Sequence, residues 1–177
     1  LDELRRFNVR SAFFVDDNLI GNLPMARKLL QYLKEYQEKH NYWFSFGTEA
    51  TLNMAQHEDL LELFRAANFS WVFIGIESPD PASLKETFKT QNLHEDILTS
   101  LRRIYCYGID VLAGFIIGFD NDTLDSFEHQ YRFITDAGIQ SAMIGLLTAL
   151  PKTPLYERLA KEGRLSPLEH ASDNTRP

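Results

Sequence analysis

The chain has 177 residues, 44% hydrophobic and 24% charged, which is enough for one domain with a sizeable core. Its formal net charge of −7 argues against binding nucleic acid by broad phosphate neutralisation, which needs clustered Lys and Arg. A single cysteine, Cys106, excludes internal disulfides and any site built from several thiolates.

Leu1–Arg10 reads as the end of a helix, with Leu1, Leu4 and Phe7 at helical spacing. The chain begins with neither Met nor an apolar leader, so it is expected to be a piece of a longer protein. Ser11–Asp16 is a short buried strand. Pro24 then opens a helix running to Lys39, with Ala26, Leu29, Leu30, Leu33 and Tyr36 or Gln37 on one face. Tyr42–Gly47 is the second strand and Gln56–Ala67 a second amphipathic helix. Ser70–Ile76 is the third strand, cut off by Pro79 and Pro81. Pro81–Phe88 reads as a short helix, and Asn92–Tyr107 as a longer one capped near Asn92 and stopped by Gly108. Ile109–Gly118 is the fourth strand, and the helix from Thr123 to Ala137 carries acids early, where its dipole favours them. Ile139–Thr148 is the fifth strand and Leu155–Lys161 the last helix. Strands alternating with helices every 30 to 35 residues or so make an α/β fold. The chain is too short for a closed eight-stranded barrel of about 250 residues. An open sheet or a partial (β/α) barrel remains, with about five parallel strands in sequential order. No apolar run reaches the roughly 18 to 20 residues that span a bilayer, and a reducing, cytoplasmic setting is the default.

Asp16, Asp17, Glu49, Glu77, Asp120 and Asp122 fall at strand C-termini or just beyond, where open sheets and barrels bind ligands. Such carboxylates suit a divalent metal or an amine; they equally suit turns and helix N-caps. Gly75, Gly114 and Gly118 either admit a ligand or backbone closely or mark a bulge. None of the five histidines lies at a strand end, and no pair has ligand spacing. Cys106 is expected as a packed core thiol.

Four segments carry a resemblance: Phe-Phe-Val-Asp-Asp-Asn (13–18), Phe-Ile-Gly-Ile-Glu-Ser (73–78), Ala-Gly-Phe-Ile-Ile-Gly-Phe (113–119) and Ala-Leu-Pro-Lys-Thr-Pro-Leu-Tyr (149–156). In this order and spacing they resemble the later strands of the radical S-adenosylmethionine (SAM) superfamily core, in the branch with a cobalamin-binding domain. The resemblance runs from about Ser11 to Leu165. Residues 1–165 are accordingly read as one partial barrel domain, and 166–177 as a polar, disordered tail.

The resemblance implies an enzyme with a [4Fe–4S] cluster, SAM and in this branch cobalamin. It implies a small-molecule substrate and reductive cleavage of SAM to a 5′-deoxyadenosyl radical, in an iron–sulfur oxidoreductase- or methyltransferase-like parent. Asp16, Asp17 and Asn18 fall where the family contacts the SAM amine. Glu49, Glu77 and Ser78 fall at its ribose and carboxylate contacts. Gly114, Ile116 and Gly118 fall at the adenine strand, and Leu147–Leu150 at its last backbone contacts. Asn121 stands where the family sometimes has an acid. The Cys-x3-Cys-x2-Cys cluster loop is absent, so it is expected upstream, the fragment alone is expected to be inactive, and its open barrel edge could dimerise. Two other readings stay open. One is a divalent-metal lyase or hydrolase using Asp17, Glu49 and Glu77; the other is a non-catalytic interaction module.

Overall fold

The computed structural model describes residues 1–80, 83 and 96–165. The expected cap at Asn92 and tail over 166–177 lie outside these residues, as does the expected helix over 81–88 apart from Ser83. A short helix, α1 (Asp2–Arg6), precedes five strands: β1 (Ser11–Phe14), β2 (Ser45–Glu49), β3 (Phe69–Glu77), β4 (Asp110–Ile117) and β5 (Ser141–Leu146). All neighbours pair in parallel, in the order β1-β2-β3-β4-β5. This is the sequential α/β sheet expected of a partial (β/α) barrel.

Parallel neighbours need crossovers, and helices supply them. They are α2 (Leu23–Lys39), a 3-10 turn (Leu52–Gln56) with α3 (Glu58–Ala66), α4 (Ile97–Cys106) and α5 (Leu124–Asp136); α6 (Pro154–Lys161) follows β5. Their starts follow from local chemistry. The side chain of Asn22 accepts from Met25 N–H at 3.1 Å, Asp96 caps α4, Thr123 and Ser126 form a reciprocal box on α5, and Thr153 caps α6. Three boundaries differ from the sequence reading. Asn8, at φ 57°, ends α1 early. Asn41 and Tyr42, at φ 53° and 52°, cannot join an extended strand, so β2 starts at Ser45. Asp96, rather than a residue near Asn92, starts the helix that ends at Cys106.

Side chains alternate between the two faces of a strand. Val72, Ile74 and Ile76 of β3 and Val111, Ala113 and Phe115 of β4 are buried in one core with Leu30, Leu33, Phe64 and Leu101 from the helices. Each large side chain buried there contributes about 1.5–3 kcal/mol. Gln37 is also fully buried, but its amide is satisfied: it donates to Phe44 O at 2.6 Å and Ala67 O at 3.2 Å, and accepts from Phe44 N–H at 3.1 Å. The opposite face of the sheet carries Phe13, Trp71 and Phe73, with the first two rings stacked at 5.3 Å. Cys106 is not the packed thiol the sequence suggested; it is exposed. Ile97, Leu101 and Ile104 form the buried stripe of α4, and two positions beyond Ile104 the helix faces outward.

Candidate ligand site at the carboxyl ends of the strands

Strand β3 ends in an irregular way. Gly75 is level with Gly114, but Glu77 is level with Phe115, so Ile76 is an extra residue. Such bulges re-aim side chains at sheet ends. Immediately after it, Ser78 N–H donates to Ile76 O at 2.9 Å, and Glu77 between them has φ 68°. This is the rare γ-turn with a positive central φ. A non-glycine residue there costs about 1–2 kcal/mol, strain of a kind that clusters at functional sites. Ile76 is in the core, and Glu77, level with Phe115 across the bulge, is half-buried at the strand end. Ser78 is buried, and its hydroxyl accepts from Asp80 N–H at 3.1 Å. That hydroxyl therefore holds the turn.

The end of β4 is shaped by Gly118, at φ 109°, and by Asp122. One carboxylate oxygen of Asp122 accepts from Gly118 N–H at 2.7 Å and Phe119 N–H at 3.0 Å; the other accepts from the Ser83 hydroxyl at 3.3 Å. Asp122 is thus a turn acid. Leu147 N–H donates to Ile117 O at 2.8 Å, and Leu147 lies 3.6 Å from where a Gly118 Cβ would stand. The structure therefore brings Gly118 and Leu147 together. Gly114 and Ile116 are on the helix-free face of the same strand, by alternation from Phe115 in the core. Asp120 meets Arg164 at 2.5 Å and Arg158 at 2.6 Å. Their hydrogen bonds, Arg164 first, hold its carboxyl down to about 2.

The loop after β1 rests on the end of β2. Asp16 accepts from Asn18 N–H at 2.9 Å, Asn18 accepts from the Thr51 hydroxyl at 3.4 Å, and Leu19 N–H donates to Glu49 O at 3.1 Å. The loop that carries Asp16, Asp17 and Asn18 thus rests on Thr51 and on the backbone of Glu49. Glu77 is further off. Glu49 is level with Phe73, four residues short of Glu77, roughly 13 Å along the strand. Among the described residues no three His, Cys, Asp or Glu side chains converge as a metal cage. Asp17, Glu49 and Glu77 therefore do not form the cation site that the metal-dependent alternative needed. The sequence reading did not single out Gln130 and Gly47. Their signals were there: Gln130 falls at helical spacing with Phe133, Ile134 and Ala137, and Gly47 interrupts an aromatic strand.

Sequential parallel strands with helices on one face define a (β/α)-barrel type of fold, in which ligands bind at the carboxyl ends of the strands. The sequence matches the radical SAM superfamily over residues 1–134, and the chain belongs to that superfamily. It is 45% identical over 166 residues to the hopanoid C-2 methylase of Rhodopseudomonas palustris (strain TIE-1), covering 93% of this chain and 32% of the methylase. It is 42% identical over 156 residues to an uncharacterised methyltransferase of Synechocystis sp., covering 88% of this chain and 29% of that protein. The fold is similar to that of TsrM, a radical SAM methyltransferase from Kitasatospora setae solved with cobalamin and a [4Fe–4S] cluster. There the TM-score is 0.74 at 15% identity, over 91% of this chain and 32% of TsrM. The chain spans about a third of the length of the curated relatives it matches.

The groups this family implies fit the chain unequally. SAM presents an amine, a carboxylate, a ribose diol and an adenine. Acceptors at Glu49 and Glu77 and the exposed backbone of Gly118 suit those groups, whereas Gly114 is buried, with the Phe73 ring 2.8 Å from where its Cβ would stand. A three-thiolate cluster does not fit, since the one cysteine, Cys106, is exposed at the end of α4 in the helix layer. Among the described residues no helix is long and apolar enough to cross a membrane.

Proposed function

We propose that this chain forms the SAM-binding sheet of a cobalamin-linked radical SAM methyltransferase acting on a small molecule. One observation carries the reading: the strained turn that holds Glu77 at the end of β3, beside the end of β4. A non-glycine residue held at positive φ at a strand end is strain of the kind that clusters at binding sites. The two methyltransferase relatives favour methyl transfer over oxidoreduction, and the first suggests a hopanoid carbon as acceptor.

The residues divide the work. Asp16, Asp17 and Asn18, with the carboxylate of Glu49, would take the amine, because an ammonium donates and these oxygens accept. Glu77, held by the Ser78 turn, would accept from the ribose hydroxyls. Gly118 leaves room for the purine plane at the end of β4, with Ile116 beside it, while Gly114 makes room for the Phe73 ring. Leu147 offers its carbonyl, since its N–H is already bonded to Ile117. Bound SAM supplies the methyl or radical chemistry. The thiolates of the iron–sulfur cluster are not among this chain's residues.

Two measurements test this. Equilibrium binding should show SAM bound by the chain and weakened at least about tenfold by Glu77→Gln, the loss of one charged hydrogen bond. The full-length protein, prepared without oxygen and given SAM labelled in its methyl group, should pass the label to a hopanoid. A chain indifferent to SAM, or a full-length protein that leaves the hopanoid unlabelled, refutes the corresponding half.

A further inference from the structure

Between the turn after β3, the end of β4 and helix α5 lies a cavity of about 30 Å³. Ser78, Asp80, Ile117, Asp122, His129 and Gln130 line it. Gln130 is 4% exposed, and its Nε2 has no hydrogen-bond partner among the described residues. A buried amide nitrogen left unpaired bears its full desolvation cost, so the position calls for an acceptor inside the cavity.

The surroundings narrow what that acceptor is. An anion is disfavoured by the carboxylates of Asp80 and Asp122. An ammonium has no lone pair to offer Nε2. A metal cage is not present among the described residues. The space exceeds the roughly 10–15 Å³ that one water needs, and far larger ligands do not fit. A water meets every demand: it accepts from Gln130 and donates to a carboxylate or to Ser78.

We propose that this cavity is a fixed hydration site, in which one ordered water joins Gln130 of α5 to the turn that carries Glu77. Gln130 is then a positioning residue. Through the water it braces Ser78 and Asp80, whose mutual hydrogen bond at 3.1 Å follows directly on the strained turn. The bearing on ligand binding rests on the SAM reading of Glu77, whereas the hydration site does not.

A crystal structure of the chain should show one water within hydrogen-bond reach of Gln130 Nε2; an empty cavity, or one filled by a protein side chain, overturns the site. Amide hydrogen exchange in Gln130→Leu and Gln130→Met tests the bracing. With the water lost, exchange at Ser78 N–H should quicken about tenfold, while Phe46 N–H in β2 stays within about twofold and reports an intact fold. If the cavity is dry, the apolar variants are instead more stable than wild type, because an unpaired polar group has been removed. Greater stability with Ser78 exchange unchanged overturns the positioning role. Should Gln130→Leu fail to fold, the isosteric Gln130→Met and the crystal structure decide. A wild-type chain that binds no SAM yet shows the water refutes the SAM reading and leaves the hydration site standing.

Discussion

Trp71 lies flat over Gly47. A Cβ at position 47 would stand within 2.6 Å of the indole Cζ2 and 2.8 Å of its Nε1, closer than real side chains come. The strand pairing sets the two residues level on adjacent strands, and Phe13 completes the stack from the other side. This aromatic floor covers the helix-free face below the candidate ligand site.

Gly47→Ala should therefore displace the indole and lower stability by about 1–3 kcal/mol, the usual cost of overpacking. Urea unfolding of the single and double variants checks the cause. In a Trp71→Ala background the same change should cost much less, because residues in contact couple and distant ones do not. Equal costs in the two backgrounds would place the damage elsewhere.

Asp122 caps the bend after β4 through the N–H groups of Gly118 and Phe119. Removing it leaves two donors unanswered. Asp122→Ala should cost about 1–2 kcal/mol and Asp122→Asn less, since the amide oxygen still accepts. If the backbone at Gly118 faces SAM, binding should weaken in Asp122→Ala more than in Asp122→Asn. Titration of SAM into the three proteins gives the order.

Asp120 supplies a pH dependence. Its carboxyl is depressed from 3.8 to about 2 by Arg164 and then Arg158. A lowered folded-state value means that the stabilisation is present in full above the unfolded value, near pH 4, and is lost as pH falls through about 2. Its side chain is 31% exposed, so solvent screening holds the contribution to about 1 kcal/mol. The stability gap between wild type and Asp120→Asn should be widest above pH 4, close towards pH 2, and shrink in high salt. A gap that widens in acid would contradict the pairing.

Much of this was legible in the amino-acid order. Five apolar runs broken by Gly, Pro and Asp gave the strands and their sequence, because a buried parallel strand is written as a continuous apolar run. The ends that matter, at Glu49, Glu77 and Gly118, were visible for the same reason. What was not legible is relative height. Glu49 and Glu77 both read as strand-end acids, and only pairing shows them four residues apart. Contacts between distant segments were equally hidden: Asp120 with Arg164 is 44 positions away. So was Cys106, whose direction depends on where α4 begins. The backbone at Glu77 gave no warning either, since composition flags positive φ only through Gly or Asn.

That last position allows strain and function to be separated. Glu77→Ala and Glu77→Gly both delete the carboxylate and every contact it makes, so their difference reports the backbone alone. At φ 68° alanine retains the steric penalty of a Cβ, and glycine does not. The glycine variant should thus be the more stable of the two by about 1 kcal/mol, even though glycine is otherwise the costlier residue to order. If the carboxylate holds the ribose, both variants should bind SAM equally poorly, so that stability is recovered without affinity. Denaturation midpoints and SAM titrations of the pair measure the two quantities independently. An alanine variant as stable as the glycine one would mean that Glu77 carries no backbone strain, and the structural case for its special placement would fall with it.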